Sequence, residues 1–220
     1  GSTPSPTPTI DTGDPIVVDY DDLSKRTVGR SSVQEWQFYA ARDWSIVLSV
    51  APDSDLDVAL ELFDPDEESV VSSDAGGSGQ IETIDKPDLP SSGVYTLKIN
   101  SVGGTSGSYA LLLQDDSALP FVSFQGNLRY GQEQQGTVPD EEQHLWNFSG
   151  TAGEIVSFRV TAITQGNLRL FLNNHEGQEV EDDIEDNKPY PLSATGLYTI
   201  GIGEYDLEQL NYSIVIEQAP

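Results

Sequence analysis

The sequence predicts an all-β chain made of two tandem β-sandwich domains with a jelly-roll-like plan. Three observations predict it. Apolar residues recur at every second position, as in Tyr95, Leu97 and Ile99 interleaved with Thr96, Lys98 and Asn100; this is the period of a strand with one buried face. No segment sustains the 3.6-residue apolar period of an amphipathic helix. The plan also occurs twice: runs headed by Tyr95 and Tyr109 return at Tyr198 and Tyr212 with one offset (198 − 95 = 103 and 212 − 109 = 103).

Taken in order, residues 1–15 read as a Thr/Pro-rich linker. Gly1-Ser2 reads as an expression scar, and proline at alternate positions of 3–9 favours extended polyproline II, a semi-rigid spacer. The first predicted domain is 16–117 and the second 118–220. In the first, Trp36 and Phe38, then Ile46, Leu48 and Val50, then Val58, Leu60 and Leu62 mark strands. Turn clusters at 40–43, 51–54 and 64–66 separate them. Gly76-Gly77-Ser78-Gly79 reads as a flexible loop, and 93–113 as a closing β-hairpin.

The second domain repeats these positions at Trp146 and Phe148, at Val156, Phe158 and Val160, and at Leu168, Leu170 and Leu172, with an offset of 110 (146 − 36 = 110). The change from 110 to 103 means that seven residues are missing from the second copy. They fall in the loop where the first copy carries SSDAGGSG and the second EVEDDIEDN. Short strands separated by turn signals, over about 100 residues per copy, are the pattern of a sandwich. Its inward tyrosines add buried area and can bond backbone through the hydroxyl.

Composition narrows the function classes. The 37 acidic residues against 10 basic ones give a formal charge of −27, which opposes nucleic acid and anionic lipid and favours cations and solubility. A halophile's surface has the same character, and only four of the bases are lysine. The absence of cysteine excludes disulfides, thiolate zinc sites and cysteine catalysis within these residues. No apolar run reaches the 18 residues of a membrane-spanning helix.

Each copy resembles a bacterial pre-peptidase C-terminal domain. In the first, the resemblance rests on Gly29 with Trp36-Gln37-Phe38, on Ser54 to Leu60, and on Phe63-Asp64-Pro65-Asp66. It continues through Ser92 to Leu97 and Gly107 to Leu111. In the second it rests on Gly136, Trp146-Asn147-Phe148, Ala152-Gly153, Thr195 to Ile200 and Asn211 to Ile214. Roughly 18–115 and 121–217 are covered. The resemblance implies an exported, non-catalytic jelly-roll sandwich appended to secreted peptidases and other surface proteins, and in some peptidases removed during maturation. It also implies kinship with the collagen-binding, calcium-stabilised domains of clostridial collagenases. In those relatives an Asp two residues before the first aromatic helps hold calcium; Gln34 and His144 stand there in this chain. Of the collagen-reading tyrosine positions, held here by Asn100, Val102, Gly203 and Tyr205, only Tyr205 matches.

Asp53, Asp55, Asp57 and Asp64 imitate a calcium loop, but an EF-hand needs Gly at its sixth position and Glu at its twelfth, where Val58 and Asp64 stand. They read instead as polar turns whose carboxylates satisfy local N–H groups. Calcium is the one candidate cofactor, with Asp19, Asp21 and Asp22 as its ligands, since hard cations seek clustered carboxylates. Equal melting temperatures in calcium and in chelator at matched ionic strength would end that reading. The run Glu179 to Asp186 is open to two readings, a cation or partner site and a solvated, self-repelling loop, and the second is favoured. Neither His144 nor His175 accompanies a G-x-S-x-G elbow, and no phosphate-binding glycine loop occurs.

Outward-phase or loop aromatics are the ligand-binding candidates: Tyr39, Trp44, Phe63, Phe171 and Tyr205, as a platform for an extracellular protein or carbohydrate. The alternative is that a second layer or the neighbouring domain covers them. The expected function is a non-catalytic accessory or binding module of a secreted or surface-anchored protein, such as a lipoprotein, of a bacterium or archaeon. The alternative is a stalk, or a segment removed when a secreted peptidase matures.

Overall fold

Alternating apolar positions become strands whose every second side chain is buried. The computed structural model describes residues 9–10, 16–115, 117–118, 120–162, 168–182, 184–185, 187–204 and 209–218, and no helix occurs among them. The chain divides into two compact units, Gly1–Asp116 and Ser117–Pro220.

The first unit runs through β1 (Thr9–Ile10), β2 (Ile16–Val17), β3 (Ser24–Val28), β4 (Ser32–Ala40) and β5 (Ile46–Pro52). It continues with β6 (Val58–Phe63), β7 (Ser69–Ser73), β8 (Glu82–Lys86), β9 (Gly93–Ser101) and β10 (Gly107–Asp115). One sheet has the order β1-β4-β9-β6-β7, with β2 also on β4; the other is β3-β10-β5-β8. The second unit runs through β11 (Phe121–Asn127), β12 (Gln134–Val138), β13 (Glu142–Gly150), β14 (Ile155–Ala162) and β15 (Leu168–Asn173). Then come β16 (Glu179–Asp182), β17 (Tyr190–Pro191), β18 (Gly196–Glu204) and β19 (Leu210–Gln218). Its sheets are β11-β13-β18-β15-β16 and β12-β19-β14-β17, the same order with β11 in the place of β1 and β2.

One expectation is overturned. Residues 93–113 are not a hairpin: β9 pairs with β4 and β6, whereas β10 pairs with β3 and β5. The connection at 102–106 crosses from one sheet to the other, and β18 and β19 do the same. Both strands turn their tyrosine face inward, so the two tyrosines meet different layers of one core. Tyr95 stacks on Phe38 at 5.7 Å, and Tyr198 on Phe148 at 5.5 Å. Their hydroxyls donate to the carbonyls of Ser91 (2.8 Å) and Ala194 (2.9 Å).

The shortening of the second copy is confined to one segment. β7 and β16 still correspond at 110 (179 − 69). Beyond it, Leu89 and Leu192, at 103, make equivalent bonds from N–H to the carbonyls of Trp44 and Glu154, both 2.8 Å. Between these points β8 has five residues and β17 two.

Left-handed turn positions correspond as well, but with different residues. Asp21, Asp43 and Glu67 have φ of 64°, 64° and 63°, and their counterparts at +110 are Gly131, Gly153 and Gly177. A side chain is strained in that region whereas glycine is not. Asp43→Gly should therefore raise stability by about 0.5 kcal/mol, the relief exceeding the added unfolded-state entropy. A lower urea midpoint in equilibrium unfolding would contradict this.

Candidate functional site

On the β1-to-β7 sheet of the first unit, inward residues fill the core while the opposite phase forms an outer face. Register places Glu35 across from Lys98, Gln37 from Thr96 and Tyr39 from Val94, with Glu61 and Phe63 continuing the first two rows. Val17 extends the Gln37 row through its pairing on β2. Tyr39 is 60% exposed, Val94 49% and Val17 66%. An open depression of about 300 Å³ adjoins them, lined by Glu35, Gln37, Phe63, Asp64, Glu67, Thr96 and Lys98. The Lys98 ammonium is 3.4 Å from Glu35 and lies 4.6 Å from the centre of the Phe63 ring.

The fold thus brings Tyr39 and Phe63 onto one face, with Phe63 half-buried. Trp44 stands elsewhere: it is 44% exposed and meets Tyr20 edge-on at 6.1 Å, in a turn rather than on the sheet. Burial, with the Asp115 charge behind it, pushes the Tyr20 hydroxyl up to about 12. Phe171 is a correction. It occupies the outward phase of β15 but is only 8% exposed. Its partner across the sheet is Gly201, and the ring fills the space a side chain there would occupy. The Arg169 guanidinium lies 5.0 Å above the ring. Tyr205 lies outside the described residues. Sequence reasoning missed Val17, Val94, Glu35, Gln37, Glu67 and Lys98; only the pairing of β4, β9 and β6 reveals them as neighbours.

The positions matching the relatives' calcium Asp point into the core. Trp36 Nε1–H donates to Tyr109 Oη at 2.8 Å, and the Tyr109 hydroxyl donates to Gln34 Oε1. Gln34 Nε2 donates to the Thr27 carbonyl at 2.8 Å. In the second unit Trp146 Nε1–H donates to Tyr212 Oη at 2.8 Å, and His144 Nδ1 lies 2.8 Å from the same oxygen. The Tyr212 oxygen accepts from the indole, and its own buried hydrogen needs an acceptor; His144 Nδ1 is placed to be that acceptor, which corresponds to the neutral Nε2–H tautomer. Burial pulls His144 down to about 4 and pushes Tyr212 up to about 12. Each relay joins the two sheets of its sandwich, so these residues serve the fold.

Asp19, Asp21 and Asp22 are exposed, and among the described residues no three His, Asp or Glu side chains stand close enough to hold a metal ion. Asp53 and Asp64 act as turn acceptors. Asp53 takes the N–H of Leu56 (3.1 Å) and Ser108 (2.7 Å), and Asp64 those of Asp66 (2.9 Å) and Glu68 (3.0 Å). Part of the acidic run is strand β16 rather than loop, and cations meet it. Arg169 lies 3.0 Å from Asp182 and 3.7 Å from Glu179, and Lys188 3.6 Å from Glu185. No helix among the described residues is long and apolar enough to cross a membrane.

No protein-family model matches the chain, and no curated protein sequence matches it. Among solved structures the chain is similar to PliG of Aeromonas hydrophila, a periplasmic inhibitor of g-type lysozyme, at 11% identity and a TM-score of 0.38, covering 45% of this chain and 98% of that one. PliG of Salmonella Typhimurium gives 18% identity and 0.35, covering 42% and 96%. The pre-peptidase C-terminal domain of a Bacillus anthracis collagenase gives 15% identity and 0.40, covering 51% and 100%.

Proposed function

We propose that the chain is a non-catalytic binding module of an exported protein, built as tandem domains of the pre-peptidase C-terminal type. The outer face around Tyr39 and Val94 takes its extracellular ligand, a protein or a carbohydrate. The observation that carries this reading is the exposed Tyr39–Val94 pair on the adjacent strands β4 and β9. The fold does not require it: the counterpart of Tyr39 at +110 is Ser149, which is exposed, and that of Phe63 is Asn173. An apolar pair kept in water beside a polar depression is the arrangement of a recognition patch. The test is an array of glycans and extracellular matrix proteins probed with the whole chain. Binding should occur and should fall about tenfold in Tyr39→Ser, a hot-spot-sized loss. A blank array with folded protein, or binding that ignores Tyr39→Ser, would refute the proposal.

A further inference from the structure

Building on that reading of the face, we infer that its partner is a protein segment in extended conformation, carrying an apolar residue and, two positions along, a lysine or arginine. Three features of the face select it. The first is charge. Lys98, the one cation among the lining residues of the depression, is paired with Glu35, which leaves the carboxylates of Asp64 and Glu67 in excess there. A cationic side chain entering there meets an acidic wall, and a chain of charge −27 steers it inward.

The second feature is spacing. Tyr39 and Gln37 are successive residues of one face on β4, about 7 Å apart, and an extended partner repeats its own side chains at the same interval. An apolar side chain on Tyr39 and Val94 thus places its neighbour two positions on over the depression. The third is the state of the aromatic rings. Phe63 is half-buried with the Lys98 ammonium over one of its faces, so Tyr39 is the freely exposed ring among the residues of this face. An extended protein segment with a basic side chain uses all three features, whereas a neutral oligosaccharide uses only the exposed ring.

The test is an amide-resolved NMR titration of the whole labelled chain at physiological ionic strength, where long-range attraction is screened. The probes are an acetylated Leu-Arg-Leu-Arg amide, its Leu-Glu-Leu-Glu counterpart and cellotetraose. The basic peptide should give saturable shifts at Gln37, Thr96 and Lys98. Its affinity should fall about fivefold in a variant combining Asp64→Asn with Glu67→Gln. That variant keeps the turn, because Asn174 holds the equivalent one with the same acceptor bonds, from the N–H groups of Glu176 (2.9 Å) and Gln178 (3.0 Å). A control combining Glu133→Gln with Glu176→Gln, both in the other unit, should leave affinity unchanged. An equal loss in the control, or equal shifts from the acidic peptide, would overturn the inference. Shifts at these amides from cellotetraose alone would overturn it while sparing the binding face. Silence from every probe would count against both.

Discussion

Replacing His144 with glutamine should remove about 2 kcal/mol of the stability that the protein loses between pH 7 and pH 5. Burial lowers the folded His144 from 6.5 to about 4. As pH falls, the unfolded chain therefore takes up the proton first. The contribution is complete above about pH 6.5 and falls away as the pH approaches 4. Protonation also breaks the relay. With hydrogens on both ring nitrogens, His144 no longer accepts from the Tyr212 hydroxyl, and the buried phenol hydrogen loses its acceptor. The first unit shows that glutamine serves in this place: Gln34 accepts from Tyr109 and donates to Thr27, and the counterpart of Thr27 is Thr137. At pH 7.5 the variant should match the parent within about 1 kcal/mol. Acid also relieves repulsion among the carboxylates, but it does so in both proteins, so the difference between their urea midpoints isolates the imidazole. Parallel stability profiles from pH 7.5 to 4.5 would refute the assignment.

The same relay shows where the sequence was legible and where it was not. Trp36, Tyr109, Trp146 and Tyr212 stand out as inward residues of alternating strands, and both sandwiches follow from that alternation. Which sheet a strand joins does not: β9 and β10 carry the same tyrosine-headed pattern and a short connection whether they pair or cross. Strands β3 and β12 escaped because SKRTV and QQGTV do not alternate. In β3 the buried residues are Lys25 and Val28, and burial pulls the Lys25 ammonium well below its usual range. The outward phase of Tyr39 and Phe63 was readable from sequence. The fate of Phe171 was not, because it depends on Gly201, thirty positions away and adjacent only through register (201 − 171 = 30). Long-range pairing decided the sheet that β9 and β10 join and the burial of Phe171, and composition carries no trace of it.

Glu82→Ala should destabilise the protein by about 3 kcal/mol, and Glu82→Gln by about half as much. Glu82 is 2% exposed on β8, yet its carboxylate is well supplied. It accepts from the Ser73 hydroxyl at 2.6 Å and from the N–H groups of Ala75 (3.0 Å) and Gly76 (2.5 Å). Gly76-Gly77-Ser78-Gly79, read from composition as flexible, therefore begins on a fixed anchor. Close approach explains its first glycine: a Cβ at Gly76 would lie 3.0 Å from Glu82 Oε1 and 2.7 Å from Gln80 Cβ. Alanine at 82 strands three donors around a void. Glutamine keeps the volume but presents one amide nitrogen, itself a donor, to a nest of donors. Among the described residues the second unit shows no such anchor: Val50 pairs with Glu82, whereas the shortened β17 pairs only with Ile155 and Val156. The seven residues by which the copies differ thus coincide with the presence of one buried acid. Equilibrium unfolding in urea measures both costs. No loss in Glu82→Gln beside a full loss in Glu82→Ala would mean that the acid acts through volume alone and would refute the anchor, whereas faster amide exchange at Ala75 and Gly76 in both variants would confirm it.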